Sequence, residues 1–202
     1  MLQSAPNANI ETDPPPAKRK RPHPGERRLQ ILRVLSEMLE DPSPIRMTTS
    51  ALAQRLGVSE AALYRHFASK AQMFEALIEF IETSMHGHLS EIAENEAPGP
   101  AHARRIVTAT LQFGEKHPGM SRVMVGDALV YEHERLQQRM NQVFDKLETA
   151  LRHGMRHMPD GEAHANAVTL TAFIMGRLQR FARSGFRNSP TERLDACLAI
   201  LI

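Results

Sequence analysis

The residues best suited to chemistry outside a core lie between Thr48 and Lys70. Thr48, Thr49, Tyr64, His66 and Lys70 can hold phosphate oxygens through hydroxyl, ring and ammonium donors, and backbone N–H groups at helix starts can do the same. Ser59, Glu60, Ala61, Ala62, Tyr64 and Arg65 form the other part of the set. Small Ala61 and Ala62 let a helix backbone approach a DNA groove, where its first residues address base edges. That chemistry is recognition, with no bond made or broken. No nucleophile stands beside an evident base and an orienting group, so no enzyme activity is expected. No glycine-rich phosphate loop is present. Of ten histidines, His153 and His157 share a helical spacing, but no Cys pair or His-Glu-x-x-His run accompanies them. No metal and no cofactor are expected.

Such residues need two short helices joined tightly. Thr48 or Thr49 can cap the first of these, which carries Leu52, Ala53 and Leu56 and ends at Gly57. Gly57-Val58-Ser59 is the turn, and Ser59 caps a helix predicted over Glu60 to Phe67. Leu52, Leu56, Val58, Leu63 and Phe67 can face inward, leaving Glu60, Ala61, Tyr64 and Arg65 outward. An ordinary helical hairpin in a core is the competing reading of the same spacing.

The flanking pattern is helical throughout. Leu29, Leu32, Leu35 and Leu39 recur after a start at Pro24-Gly25-Glu26, and Asp41-Pro42-Ser43-Pro44 stops them. Ser69 caps a helix reaching about Asn95, before the break Pro98-Gly99-Pro100. Further helices are predicted from about Ala101 to Lys116, Ser121 to Gly126 and Glu162 to Arg183. A long amphipathic one carries Leu136, Met140, Val143, Phe144, Leu147, Leu151 and Met155, and a last one follows Ser189-Pro190. The expected fold is all-α with about nine helices. Residues 1–24 read as a disordered basic arm, 25–70 as a DNA-binding domain, and 71–202 as a helical dimerisation and partner-binding domain.

The net charge of +2 excludes a general polycation, so any nucleic-acid site must rest on local charge. Lys18-Arg19-Lys20-Arg21 supplies it, with Arg27-Arg28 behind. This run can follow phosphates or enter a minor groove, or it can be a solubilising tail. The single cysteine, Cys197, permits no internal disulfide. With neither a membrane-length apolar run nor a signal-like N-terminus, a soluble cytoplasmic protein is the expectation.

A second surface is suggested further on. Phe74, Leu77, Ile78, Ile81 and Met85 make one stripe, and Phe80 lies about 100° off its centre. Phe80 can line a groove between the fourth and fifth helices, with Lys116 and His117 as a basic rim suited to an acidic peptide. Alternatively, the fifth helix simply covers it.

The stretch from Thr48 to Lys70, above all Leu63-Tyr64-Arg65-His66-Phe67 with Lys70, resembles the DNA-binding domain of the TetR family. That resemblance implies an all-helical homodimer whose two recognition helices engage half-sites of a near-palindromic double-stranded DNA, with the helix around Val168 to Phe181 in the dimer interface. The likeness continues through Phe113-Gly114-Glu115, Asn141-Gln142-Val143-Phe144, Arg180-Phe181 and Leu194-Asp195-Ala196. Over this length the chain resembles a narrower branch, the nucleoid occlusion factors. What that branch implies is a nucleoid-associated protein that, when DNA-bound, binds the C-terminal tail of the division protein FtsZ and antagonises its polymers. DNA is then the activating partner and no small-molecule ligand is expected. The branch's tail-binding groove maps onto Phe80, His88, Ala109, Gln112, Lys116 and His117; Phe80 and Lys116 match its pattern, the other four depart from it. A ligand-released TetR repressor and a helical adaptor without specific DNA contacts are the alternatives. Phe113, Phe144, Phe173 and Phe181 can fill the space that a ligand pocket would need.

Overall fold

The computed structural model describes residues 24–41 and 47–202. The basic run Lys18–Arg21 and the stop Pro42-Ser43-Pro44 lie outside the described residues. Helices α1 (Pro24–Leu39), α2 (Thr49–Leu56), α3 (Glu60–Tyr64), α4 (Lys70–Asn95) and α5 (Pro100–Lys116) come first. They are followed by α6 (Pro118–Met124), a 3-10 turn (Asp127–Leu129), α7 (Glu134–Gly154), α8 (Asp160–Arg183) and α9 (Leu194–Leu201). No strand occurs among the described residues.

Local chemistry accounts for the starts and stops at the N-terminal end. The Thr48 hydroxyl accepts from Ala51 N–H, that of Ser59 from Ala62, and that of Ser69 from Gln72, so each orphan helix start is satisfied. Gly57 turns the chain with φ +65°, a left-handed conformation that favours glycine. Helix α3 stops at Tyr64, three residues short of the predicted Phe67. The N–H groups of His66 and Phe67 both return to the Leu63 carbonyl, a turn that drops Phe67 into the core. Arg28 from α1 holds that turn: its guanidinium lies 4.0 Å from the Phe67 ring centroid and donates to the His66 carbonyl at 2.8 Å.

Ile31, Leu35, Leu39, Leu52, Ala53, Leu63 and Phe67 make the core of the first three helices. It runs without a break into Met73, Phe74, Leu77, Ile78, Ile81 and Met85 of α4. Helix α6 is pressed against α1. A Cβ on Gly119 would stand 2.2 Å from the Ser36 carbonyl oxygen, and Arg122 donates to the carbonyls of Leu39 and Asp41. Pro118 sets the start of α6 three residues before the predicted Ser121, since proline lacks only an N–H that the first turn leaves unpaired. The rest of the body is built on the paired helices α7 and α8, with α4 and α5 against them.

Candidate nucleic-acid interface and adjoining groove

The outer face of α2 and α3 carries a chain of hydrogen bonds. The Tyr64 hydroxyl lies 3.4 Å from Thr49 Oγ1, and Thr49 donates to Glu60 Oε2 at 2.7 Å. Thr48, Ser59, Glu60, Ala61, Tyr64 and Arg65 are exposed, whereas Thr49, Ala62 and His66 are half-buried. Leu52, Leu63 and Phe67 are buried beneath them, with Leu56 and Val58 packed at the edge. The arrangement presents hydroxyls, two small residues and one carboxylate to a ligand. Arg55, exposed in the last turn of α2, adds a cation that the sequence reading passed over.

Lys70 stands apart from this face. Its ammonium donates to the Met47 carbonyl and to the Glu132 carboxylate, and lies 5.6 Å from the Phe74 ring centroid. The side chains of Lys70 and Glu132 are only 19% and 9% exposed. The cation therefore ties the start of α4 to the segment preceding α7. Both partners lie far away in sequence, so periodicity could not reveal them.

A groove of about 840 Å³ runs between α4 and α5. Gly87, His88, Ala109, Gln112, Lys116 and His117 line it. Phe80 is not among the groove's lining residues but touches two of them: its ring is 45% exposed, edge-on to His117 at 5.7 Å between centroids and 6.0 Å from Phe113. Phe80 lines a second cavity of about 460 Å³ with Leu29, Leu32, Leu77, Met120, Arg28 and Arg33, and His117 borders both cavities. Phe80 thus stands beside the α4–α5 groove rather than in its lining, where it was expected. Phe113, at 4.9 Å from the His117 ring, completes an aromatic cluster. Burial, and then the charge of Lys116, hold the His117 imidazole below its ordinary pKa of 6.5. His88 Nδ1 is buried without a hydrogen-bond partner. The far rim carries Arg104 and Arg105, paired with Asp195 at 3.5 Å and Glu96 at 3.2 Å. These two arginines were not legible as groove residues, because nothing in their spacing indicates where α5 crosses α4.

Helix α8 leaves an apolar strip uncovered. Val168 is 44% and Met175 43% exposed, with Ala172 and Gly176 exposed between and beside them. Phe113, Phe144 and Phe181 are buried in the body, and Phe173 is half-buried. Among the described residues no three His, Cys, Asp or Glu side chains group to hold a metal ion, and no helix is long and apolar enough to cross a membrane.

Comparison with known proteins agrees with this architecture. Residues 31–77 match the model for bacterial regulatory proteins of the tetR family. Residues 101–202 match the SlmA-like model of the tetracyclin repressor-like C-terminal domain. Among solved structures, a TetR-like transcriptional regulator from Rhodococcus sp. RHA1 superposes with a TM-score of 0.71 at 18% identity, covering 90% of this chain and 94% of that one. The TetR family regulator PfmR from Thermus thermophilus gives 0.68 at 19% identity, covering 85% and 96%. At these identities the likeness is one of fold. Sequence relatives are nearer. The nucleoid occlusion factor SlmA of Escherichia coli O1:K1 / APEC is 46% identical over 178 residues, 84% of this chain and 90% of that protein. The SlmA of Marinomonas sp. (strain MWYL1) is 46% identical over 174 residues, 83% and 88%. Because the likeness spans the helix-turn-helix and the C-terminal body alike, the chain belongs to the SlmA family of nucleoid occlusion factors, built on the TetR fold.

Proposed function

We propose that this protein is a DNA-activated division inhibitor. It binds a near-palindromic chromosomal site as a homodimer and, when DNA-bound, captures the C-terminal tail of FtsZ and antagonises FtsZ polymers over the nucleoid. The observation that carries this reading is the double use of α4. The helix begins at the DNA-facing unit with the Ser69 cap and reaches Phe80 ten residues on, about 15 Å along its axis. One helix therefore carries Phe80 and one wall of the groove away from the helix-turn-helix. Thr48, Thr49, Ser59, Glu60, Ala61, Ala62, Tyr64, Arg65 and His66 are assigned to DNA, with the run Lys18–Arg21. Lys70 joins them if phosphate can compete with Glu132 for its ammonium.

Phe80, His88, Ala109, Gln112, Lys116 and His117 are assigned to the tail. The Lys116 ammonium in the groove lining favours an acidic peptide. The uncovered strip of α8 around Val168, Ala172 and Met175 is assigned to the homodimer. The test is sedimentation of FtsZ polymers with the protein, with and without a duplex selected from a random library. Loss of polymer only with the duplex supports the proposal; no DNA-dependent change refutes it.

The alternative is a repressor released by a small ligand; the transcriptional regulator FadR from Bacillus subtilis, similar in fold, is in complex with stearoyl-CoA. The burial of Phe113, Phe144 and Phe181 in the C-terminal body argues against it.

A further inference from the structure

Glu60 is the one acidic residue between Met47 and Lys70. It stands exposed at the start of α3, on the face assigned above to DNA. Every phosphate oxygen repels it, so on charge alone it weakens binding to any duplex. Its carboxylate is nevertheless held in place. Thr49 donates to one oxygen at 2.7 Å, and Tyr64 backs Thr49 at 3.4 Å. One oxygen is fixed by protein, and the other remains an acceptor.

In the major groove, hydrogen-bond donors on base edges are confined to two exocyclic amines, N4 of cytosine and N6 of adenine. In a base pair the adenine amine is flanked by two acceptors, its own N7 and the thymine O4, which face a carboxylate unfavourably; the cytosine amine is flanked by one, the guanine O6, with C5–H on its other side. The geometry points to Glu60 as a specificity residue: we propose that its carboxylate accepts from the N4 amine of one cytosine in each half-site. It rejects bases that offer an acceptor there. Thr49 and Tyr64 act as positioning residues for this carboxylate. The inference rests on the DNA-binding reading of the α2–α3 face.

The experiment uses the full chain and a duplex selected from a random library. Each cytosine of a half-site is replaced in turn by a pyrimidin-2-one nucleotide, which lacks the 4-amino group. Wild type and Glu60→Ala are compared on every duplex, together with a random duplex. One position is expected at which the analogue weakens wild type at least about fivefold, the lower end for a good base contact, and leaves Glu60→Ala unaffected. Glu60→Ala is also expected to bind the random duplex as tightly as wild type or more so, because a like charge is gone. The proposal is overturned if every analogue affects both proteins equally. It is equally overturned if Glu60→Ala loses selected and random duplexes together with a lowered melting temperature while Glu60→Gln, which can still accept from Thr49, keeps wild-type selectivity. That second outcome would make Glu60 a brace for α3. If wild type prefers no duplex at all, the DNA-binding reading itself fails, and that failure is visible before any variant is made.

Discussion

Replacing Phe80 by alanine separates the partner groove from both the fold and the DNA face. The ring is 45% exposed, so nearly half of it is free to be covered by a ligand. An aromatic side chain offers about 200 Å² in all, of which roughly 90 Å² would then leave water on binding. At about 25 cal/mol per Å² this is roughly 2.2 kcal/mol, or about a 40-fold change in Kd. The protomer loses less, because the contacts sacrificed are edge-on to His117 at 5.7 Å and tilted to Phe113 at 6.0 Å, both at the surface of the body. Fluorescence anisotropy of a labelled FtsZ-tail peptide, with the protein saturated by a selected duplex, measures the first effect. A gel shift on the same duplex measures DNA binding, which is expected to stay within about twofold, since the site is more than a helical turn from α3. A peptide affinity that survives Phe80→Ala within about threefold refutes the assignment of this groove. Loss of DNA and peptide binding together refutes the claim that the two surfaces are separate.

Three other outcomes test other parts of the reasoning. Glu132→Gln leaves the Lys70 ammonium half-buried without its counter-charge, so stability should fall by about 3 kcal/mol and Tm by roughly 10 °C; a shift under about 2 °C in calorimetry means the pair is dispensable. Met175→Arg should sediment as a monomer at concentrations where wild type is a dimer, with an unchanged melt, because the side chain is exposed in the protomer; a persisting dimer places the interface elsewhere. His117 titrates below its ordinary 6.5 when folded, so the unfolded chain binds the proton first and stability falls as pH drops below about 6.5 towards the folded value. Between neutral and mildly acidic pH, the urea midpoint of His117→Asn should therefore decline less than that of wild type. Equal declines would show that neither burial nor the charge of Lys116 disfavours the imidazolium.

Helices with their own caps and periodicity were readable from the chain. Ser69 and the stripe Phe74, Leu77, Ile78, Ile81 predicted α4 to within a residue, because a local hydrogen bond and a 3.6-residue repeat fix it. The end of α3 was not readable, since it depends on Arg28, nearly forty residues earlier, gripping the His66 carbonyl. Phe80 was placed off the apolar stripe by its angle alone. That it lines a cavity with Leu29 and Leu32 of α1 and Met120 of α6 depends on how those helices meet α4, and a contact across sequence leaves no local signature. The 3-10 turn at Asp127–Leu129 was likewise missed, being too short to carry a period.

The charges around the helix-turn-helix lead to a conclusion that a count of basic residues hides. Arg28 is turned onto Phe67, and Lys70 is neutralised by Glu132, so two of the cations nearest the face are engaged internally. Arg55 and Arg65 remain exposed there, opposed by Glu60. If those two arginines meet one phosphate each, a dimer neutralises about four, and log K should fall against log salt with a slope of about −3.6. The run Lys18-Arg19-Lys20-Arg21 can double or triple that slope if it contacts DNA in both protomers. Titrating salt with the full chain and with a chain beginning at Pro24 therefore distinguishes an arm that follows phosphates from a tail that only solubilises. Equal slopes of about −3.6 would leave recognition to the hydroxyls, backbone N–H groups and the single carboxylate on the face of α2 and α3. Specificity would then rest on hydrogen-bond geometry at that face, with electrostatics contributing mainly to encounter.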